Sequence, residues 1–112
     1  MPLELHTEAV GDDILVYRIS GRLDAIEAPE AYDRMVEGLS DRNRVVLDLQ
    51  EVEYISSGGL SIIIRLIHRL RSAGGDVYLA NPHPFARKVL DIVSFDAIMK
   101  IFDTTEEATA AF

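Results

Sequence analysis

A single α/β domain with a mixed sheet is the fold that this 112-residue sequence predicts, and three observations predict it. Short apolar runs of strand length alternate with amphipathic stretches at helical spacing. Polar breaks rich in Gly, Pro, Asn and Asp separate them. Consecutive strands with a helix between them need crossover connections, which place parallel strands side by side under a layer of helices. The order read along the chain is ββαβαβαβα, a mixed sheet of about four to five strands with about four helices, in one domain spanning residues 1–112.

The elements follow in order. Leu3–Val10 and Ile14–Ile19 flank Gly11-Asp12-Asp13, where glycine can take a positive φ, and read as a β-hairpin. Gly21-Arg22-Leu23-Asp24-Ala25 reads as a loop, and Ala28-Pro29-Glu30 starts a helix to about Leu39, with Pro29 tolerated in the first turn and Glu27 and Glu30 suiting its positive end. Tyr32, Met35, Val36 and Leu39 form its apolar stripe. Val45–Leu49 is a short buried strand, and Leu60, Ile63, Ile64, Ile67 and Leu70 mark one face of a long helix that ends at Ala73-Gly74-Gly75. Asp76–Ala80 is the next strand, and Asn81-Pro82-His83-Pro84 breaks it before a helix over Phe85–Ile92. Ile98–Phe102 reads as a last short strand, followed by hydroxyl caps and acids at 103–107 and a short helix over Ala108–Phe112.

Composition excludes several function classes. Hydrophobic residues make up 48% and charged residues 27% of the chain, enough apolar content for a core of its own. No cysteine is present, so disulfides, thiolate metal sites and a cysteine nucleophile are out, and a reducing cytoplasm is the expected compartment. The start Met1-Pro2-Leu3-Glu4 lacks the basic and apolar regions of a leader, and no apolar run approaches the ~20 residues that span a bilayer. A net charge of −8 repels nucleic acid and anionic lipid, and favours a basic protein as partner. Arg65, His68, Arg69 and Arg71 are the one basic concentration, and read as a solvated helix face with cations toward its C-terminal end.

The parts of an enzyme are missing from this inventory. His6, His68 and His83 have no metal-ligand spacing, so no metal is expected. Ser56-Ser57 lies between a strand and a helix, yet Ile55 stands where a nucleophile elbow has Gly, and nothing in the spacing gives Ser57 a base, although His83 could reach the strand ends. Neither Gly58-Gly59 nor Gly74-Gly75 completes a dinucleotide-binding pattern, and no cofactor is implied.

Function is expected at the junction Tyr54-Ile55-Ser56-Ser57-Gly58-Gly59-Leu60-Ser61. Its serines sit at a helix N-terminus, where free N–H groups and the dipole favour an anion by ~0.3–1 kcal/mol. Two readings stand side by side: a hydroxyl that caps the helix, worth ~1 kcal/mol, and a phosphate acceptor. Gly58-Gly59 lowers helix propensity by ~1 kcal/mol per glycine, which implies a close approach to the backbone there.

Over nearly its whole length the chain resembles the STAS-domain anti-sigma factor antagonists of bacteria. Gly21-Arg22-Leu23-Asp24-Ala25 with Ala28-Pro29-Glu30 resembles the family's Gly-x-Leu-Asp loop and first helix; Val46–Leu49 and Val52–Leu60 resemble its central strand and phosphorylation loop; Ala73–Leu79 and Asn81-Pro82 resemble the next turn and strand. The resemblance implies that Ser57 is the phosphoacceptor, with Ser56 second choice, and that Asp24, Ser56, Ser57, Gly58, Gly59 and Leu60 meet the partner. Ser56 stands where the family often has Asp, and Gly58 where it often has Ser or Thr. The implied partner is an anti-sigma factor with serine/threonine kinase activity, bound by the unphosphorylated form so that a sigma factor is released, with a phosphatase restoring that form. No catalysis, nucleic acid or membrane is implied, and the expected state is a monomer or weak dimer. A noncatalytic STAS scaffold or an accessory to lipid transport or a transporter is the alternative within the same fold.

Overall fold

The computed structural model describes residues 3–112; Met1 and Pro2, at the start of the expected domain, lie outside the described residues. Five strands form one sheet in sequence order: β1 (Glu4–Val10), β2 (Ile14–Leu23), β3 (Arg44–Ile55), β4 (Asp76–Ala80) and β5 (Ile101–Phe102). β1 pairs antiparallel with β2 through the Gly11 turn, where φ is +62°, and the other pairings are parallel. The helices are α1 (Ala28–Glu37), α2 (Ser57–Ser72), α3 (Pro84–Ile92) and α4 (Thr105–Ala110). The expected order and mixed sheet are therefore present.

Alternation along the strands sorts the two faces. Leu15, Tyr17 and Ile19 of β2, Val45, Leu47 and Leu49 of β3, and Val77 and Leu79 of β4 meet the apolar stripes of α1, α2 and α3 in the main core. The opposite face presents Val16, Val46, Tyr78 and Ala80, covered by α4 through Ala108. Tyr78 stacks on Phe112 with ring centroids 4.1 Å apart. The expected helical cover is thus complete on one face and partial on the other. Burial of Tyr17 costs its hydroxyl nothing in hydrogen bonding, since it donates to the Met35 carbonyl at 2.6 Å and satisfies the C-terminal end of α1.

Several boundaries differ from the sequence expectation, each for a physical reason. β2 continues through Gly21 to Leu23 instead of ending at Ile19, because Gly21, with φ +113°, is absorbed at a shift in the ladder. β3 runs on to Ile55 because Glu51, Val52, Tyr54 and Ile55 keep partners in β2 after the pairing with β4 has stopped at Asp48 and Ala80. α1 ends at Glu37 with Gly38 as cap, leaving Leu39 buried in the turn that follows. The expected strand at Ile98–Phe102 shrinks to Ile101–Phe102, since a 3-10 turn over Phe95–Ala97 puts Phe95 and Met99 into the core. α4 starts at Thr105 and not at Ala108, because the Thr104 side chain accepts from the Glu107 N–H at 3.1 Å and sets the first turn there.

Candidate functional site

β2 and β3 together form a two-stranded ribbon that projects past β4 and ends in the register pair Leu23 and Ile55. Its two strands deliver the β2–α1 loop and the β3–α2 junction to the same place. The Ser56 N–H donates to the Leu23 carbonyl at 3.1 Å, so the two connections are tied to each other. A close approach at Gly58-Gly59 is made by this loop. A Cβ on Gly59 would run into the Leu23 carbonyl oxygen, and one on Gly58 would lie 2.9 Å from Ala25 Cα. The glycines let the first turn of α2 press on the chain's own backbone.

Within that frame the two serines have different circumstances. Ser56 is the N-cap of α2, half-buried and extended (φ −92°, ψ 175°); its Oγ accepts from the Gly59 N–H at 3.2 Å, and its carbonyl accepts from the Leu60 N–H at 2.9 Å. Ser57 is the first helical residue and is exposed, and among the described residues its hydroxyl has no hydrogen-bond partner. The capping reading therefore belongs to Ser56, and Ser57 is left chemically free at the positive end of a 16-residue helix.

Asp24 shapes the neighbouring loop. Its Oδ1 accepts from the N–H groups of Ile26 at 3.0 Å and Glu27 at 2.9 Å, and its carbonyl accepts from the Ala28 N–H at 2.8 Å. The start of α1 is thus capped by Asp24, while Glu27, at the N-cap position, makes no side-chain cap bond. None of the Asp24 hydrogen bonds goes to a serine. Of the other expected contact residues, Leu60 is half-buried against the core and Gly59 is buried, so these two support the surface more than they present it.

Three residues beside the serines escaped the sequence reading as contact candidates. Ile26 is 86% exposed at the tip of the β2–α1 loop, and Tyr54 is 42% exposed with the Arg22 guanidinium 4.2 Å from its ring centroid. An isoleucine between Asp24 and Glu27, off any apolar periodicity, was the available signal. His83, considered as a hydrolase base, has Nδ1 occupied by the Phe85 N–H at 3.2 Å. The basic stretch of α2 is a solvated face with local partners: Arg65 lies 4.3 Å over the Tyr32 ring, and Arg71 pairs with Asp76 at 2.9 Å.

A five-stranded sheet in the order 1-2-3-4-5 with a serine-headed helix after β3 defines a class of domain, and comparison with known proteins agrees. Residues 7–108 match the family described as the STAS domain. The chain belongs to this family, among its anti-sigma factor antagonists. It is 30% identical over 102 residues to BtrV of Bordetella bronchiseptica, provisionally assigned as an anti-sigma factor antagonist, covering 90% of this chain and 88% of the relative. A crystal structure of a protein from Thermotoga maritima with the same provisional assignment superposes with a TM-score of 0.87 at 27% identity, covering 96% and 92% of the two chains. The anti-sigma factor antagonist SpoIIAA of Bacillus shares the fold at 21% identity. Its unphosphorylated form has a TM-score of 0.78 over 95% of this chain and 93% of its own, and its phosphorylated form 0.72 over 96% and 98%. Among the described residues no helix is long and apolar enough to cross a membrane.

Proposed function

We propose that this chain is a partner-switching antagonist whose state is set by a phosphate on Ser57. In the unmodified form, the surface around Asp24, Ile26, Ser56, Ser57 and the first turn of α2 docks onto an anti-sigma factor with serine/threonine kinase activity, and a sigma factor is released. The kinase then moves the γ-phosphoryl group of ATP to the Ser57 oxygen, ADP leaves, and the docked state is lost; a phosphatase hydrolyses the ester and restores it. The observation that carries this reading is the division of labour at the helix start: Ser56 spends its hydroxyl on the cap, while Ser57 is exposed and unbonded. That SpoIIAA is known in phosphorylated and unphosphorylated forms supports it by analogy of fold.

Magnitudes explain why the switch acts on binding and leaves the fold intact. A phosphate adds about −1.5 to −2 charges. At the N-terminus of α2 the dipole offsets part of the repulsion, by ~0.3–1 kcal/mol, and the site is already solvated. Burying the same dianion in an interface without a matched cation costs several kcal/mol, and each ~1.4 kcal/mol weakens binding tenfold. Kinase labelling followed by mass mapping tests the assignment. Ser57 is the expected modified residue; Ser57→Ala is expected to bind the kinase without being labelled, and Ser57→Asp to stay folded and bind poorly. Labelling that persists undiminished in Ser57→Ala refutes it.

A further inference from the structure

α3 is apolar on two sides. Its inner side buries Ala86 and Leu90 in the main core. Its outer side carries Phe85, 61% exposed, and Ile92, 81% exposed, with Val89 half-buried between them and Val93, 46% exposed, at the C-cap. Phe85 and Ile92 are two helical turns apart, so they share one side of the helix at about 10.5 Å along its axis. A helix that served the fold alone would carry polar residues on its outer side. Phe85 is also held in place: its ring stacks on His83 with centroids 5.5 Å apart, and Lys88 Nζ lies 5.8 Å from its centroid. An exposed aromatic ring already fixed in position loses little entropy when a partner covers it.

Charge along this helix runs from positive to negative. Arg87 and Lys88 come first, then Asp91, then Asp96 just beyond the helix end. Arg87 and Asp91 are 3.4 Å apart within the helix, whereas among the described residues Lys88 and Asp96 have no ion-pair partner. Two such helices laid antiparallel match along their length. Phe85 of each covers Ile92 of the other, the two Val89 side chains meet in the middle, and each basic stretch faces an acidic one. A parallel pair would set like charges side by side. The exposed fractions correspond to roughly 300–400 Å² of apolar surface, the size at which a patch on a monomer marks an interaction site. A standard interface takes about 800 Å² from each partner, so this face supports a weak, reversible contact.

We infer that the outer face of α3 docks a second copy of this chain, helix against antiparallel helix, in a weak symmetric dimer. A second copy is the occupant because the face complements itself in charge, in length and in apolar content. The surface does not include Ser57 and does not rest on the reading given above. A net charge of −8 on each copy opposes association, so the test is run at a salt concentration that screens it. Sedimentation equilibrium of the whole chain from ~10 µM to ~1 mM in ~0.3 M salt is expected to show an average mass rising from monomer toward dimer. Ile92→Glu and Phe85→Ser, both at exposed positions, are each expected to weaken the dimer at least tenfold. Thr7→Glu adds the same charge on the exposed edge strand β1 and is expected to change Kd less than twofold. A mass that stays monomeric throughout that range, a dimer that either α3 variant leaves intact, or a loss as large in Thr7→Glu as in Ile92→Glu overturns the inference.

Discussion

Replacing Gly59 by alanine sets two effects of opposite sign against each other. In a helix interior alanine is favoured over glycine by ~1 kcal/mol, so an isolated α2 would gain. In the folded chain the new methyl meets the Leu23 carbonyl oxygen, with the carbonyl carbon at 3.0 Å and Leu23 Cγ at 3.1 Å. Leu23 has no room to retreat: its side chain is fully buried and its carbonyl holds the Ser56 N–H at 3.1 Å. Overpacking of this kind costs ~1–3 kcal/mol, and loss of the Leu23–Ser56 bond adds ~1 kcal/mol. Subtracting the propensity gain leaves a net destabilisation of ~1–3 kcal/mol. Urea unfolding followed by circular dichroism is the assay, and the midpoint should fall with an unchanged slope. Gly58→Ala should cost less, because its methyl meets Ala25, an exposed loop residue. A Gly59→Ala midpoint equal to or above wild type would refute the argument that the two connections are locked together by backbone contact.

Three further outcomes separate the roles assigned above. Ser56→Ala should lose ~1 kcal/mol of stability as a lost cap, while Ser57→Ala should change it by less than ~0.5 kcal/mol; equal losses in urea unfolding would contradict the assignment of the cap to Ser56. Asp24→Ala should cost ~1–2 kcal/mol through two orphaned loop N–H groups, and faster amide exchange at Ile26 and Glu27 is the direct readout. Burial raises the Tyr17 hydroxyl to about 12 from the ordinary 10.0, so the folded state prefers the neutral phenol. That preference is fully present below pH 10 and is lost as pH rises from 10 toward 12. By pH 11.5 it amounts to ~2 kcal/mol of lost stability. Tyr17→Phe should flatten the alkaline fall by that amount in unfolding curves at pH 9 and 11.5, and an unchanged fall would place the titration elsewhere.

Most of the fold was legible because its signals are local. Periodicity located the parallel strands and the three helices of the main core, and Gly11 and Ala73-Gly74-Gly75 marked turns whose backbone needs glycine. What misled was polarity near the strand ends. Gly21 read as loop and the strand from Val45 read as ending at Leu49, yet Gly21 and the run Gln50–Tyr54 both lie in the β2–β3 ribbon, where polar side chains are open to water. The shortened β5 has another cause: a 3-10 turn over Phe95–Ala97 precedes it, and Phe95 and Met99 are buried there.

By itself, the sequence determined the alternation of elements, the acidic charge and the placing of two serines at a helix start, because propensity, charge and spacing are properties of neighbours in the chain. Propensity and spacing left open which of the two serines caps the helix. That choice needs the helix to begin at Ser57, so that the Ser56 oxygen faces the Gly59 N–H and the Ser57 hydroxyl faces water. Only tertiary structure reveals what Gly58 and Gly59 accommodate, since Leu23 and Ala25 reach them through a parallel pairing more than thirty residues away in sequence.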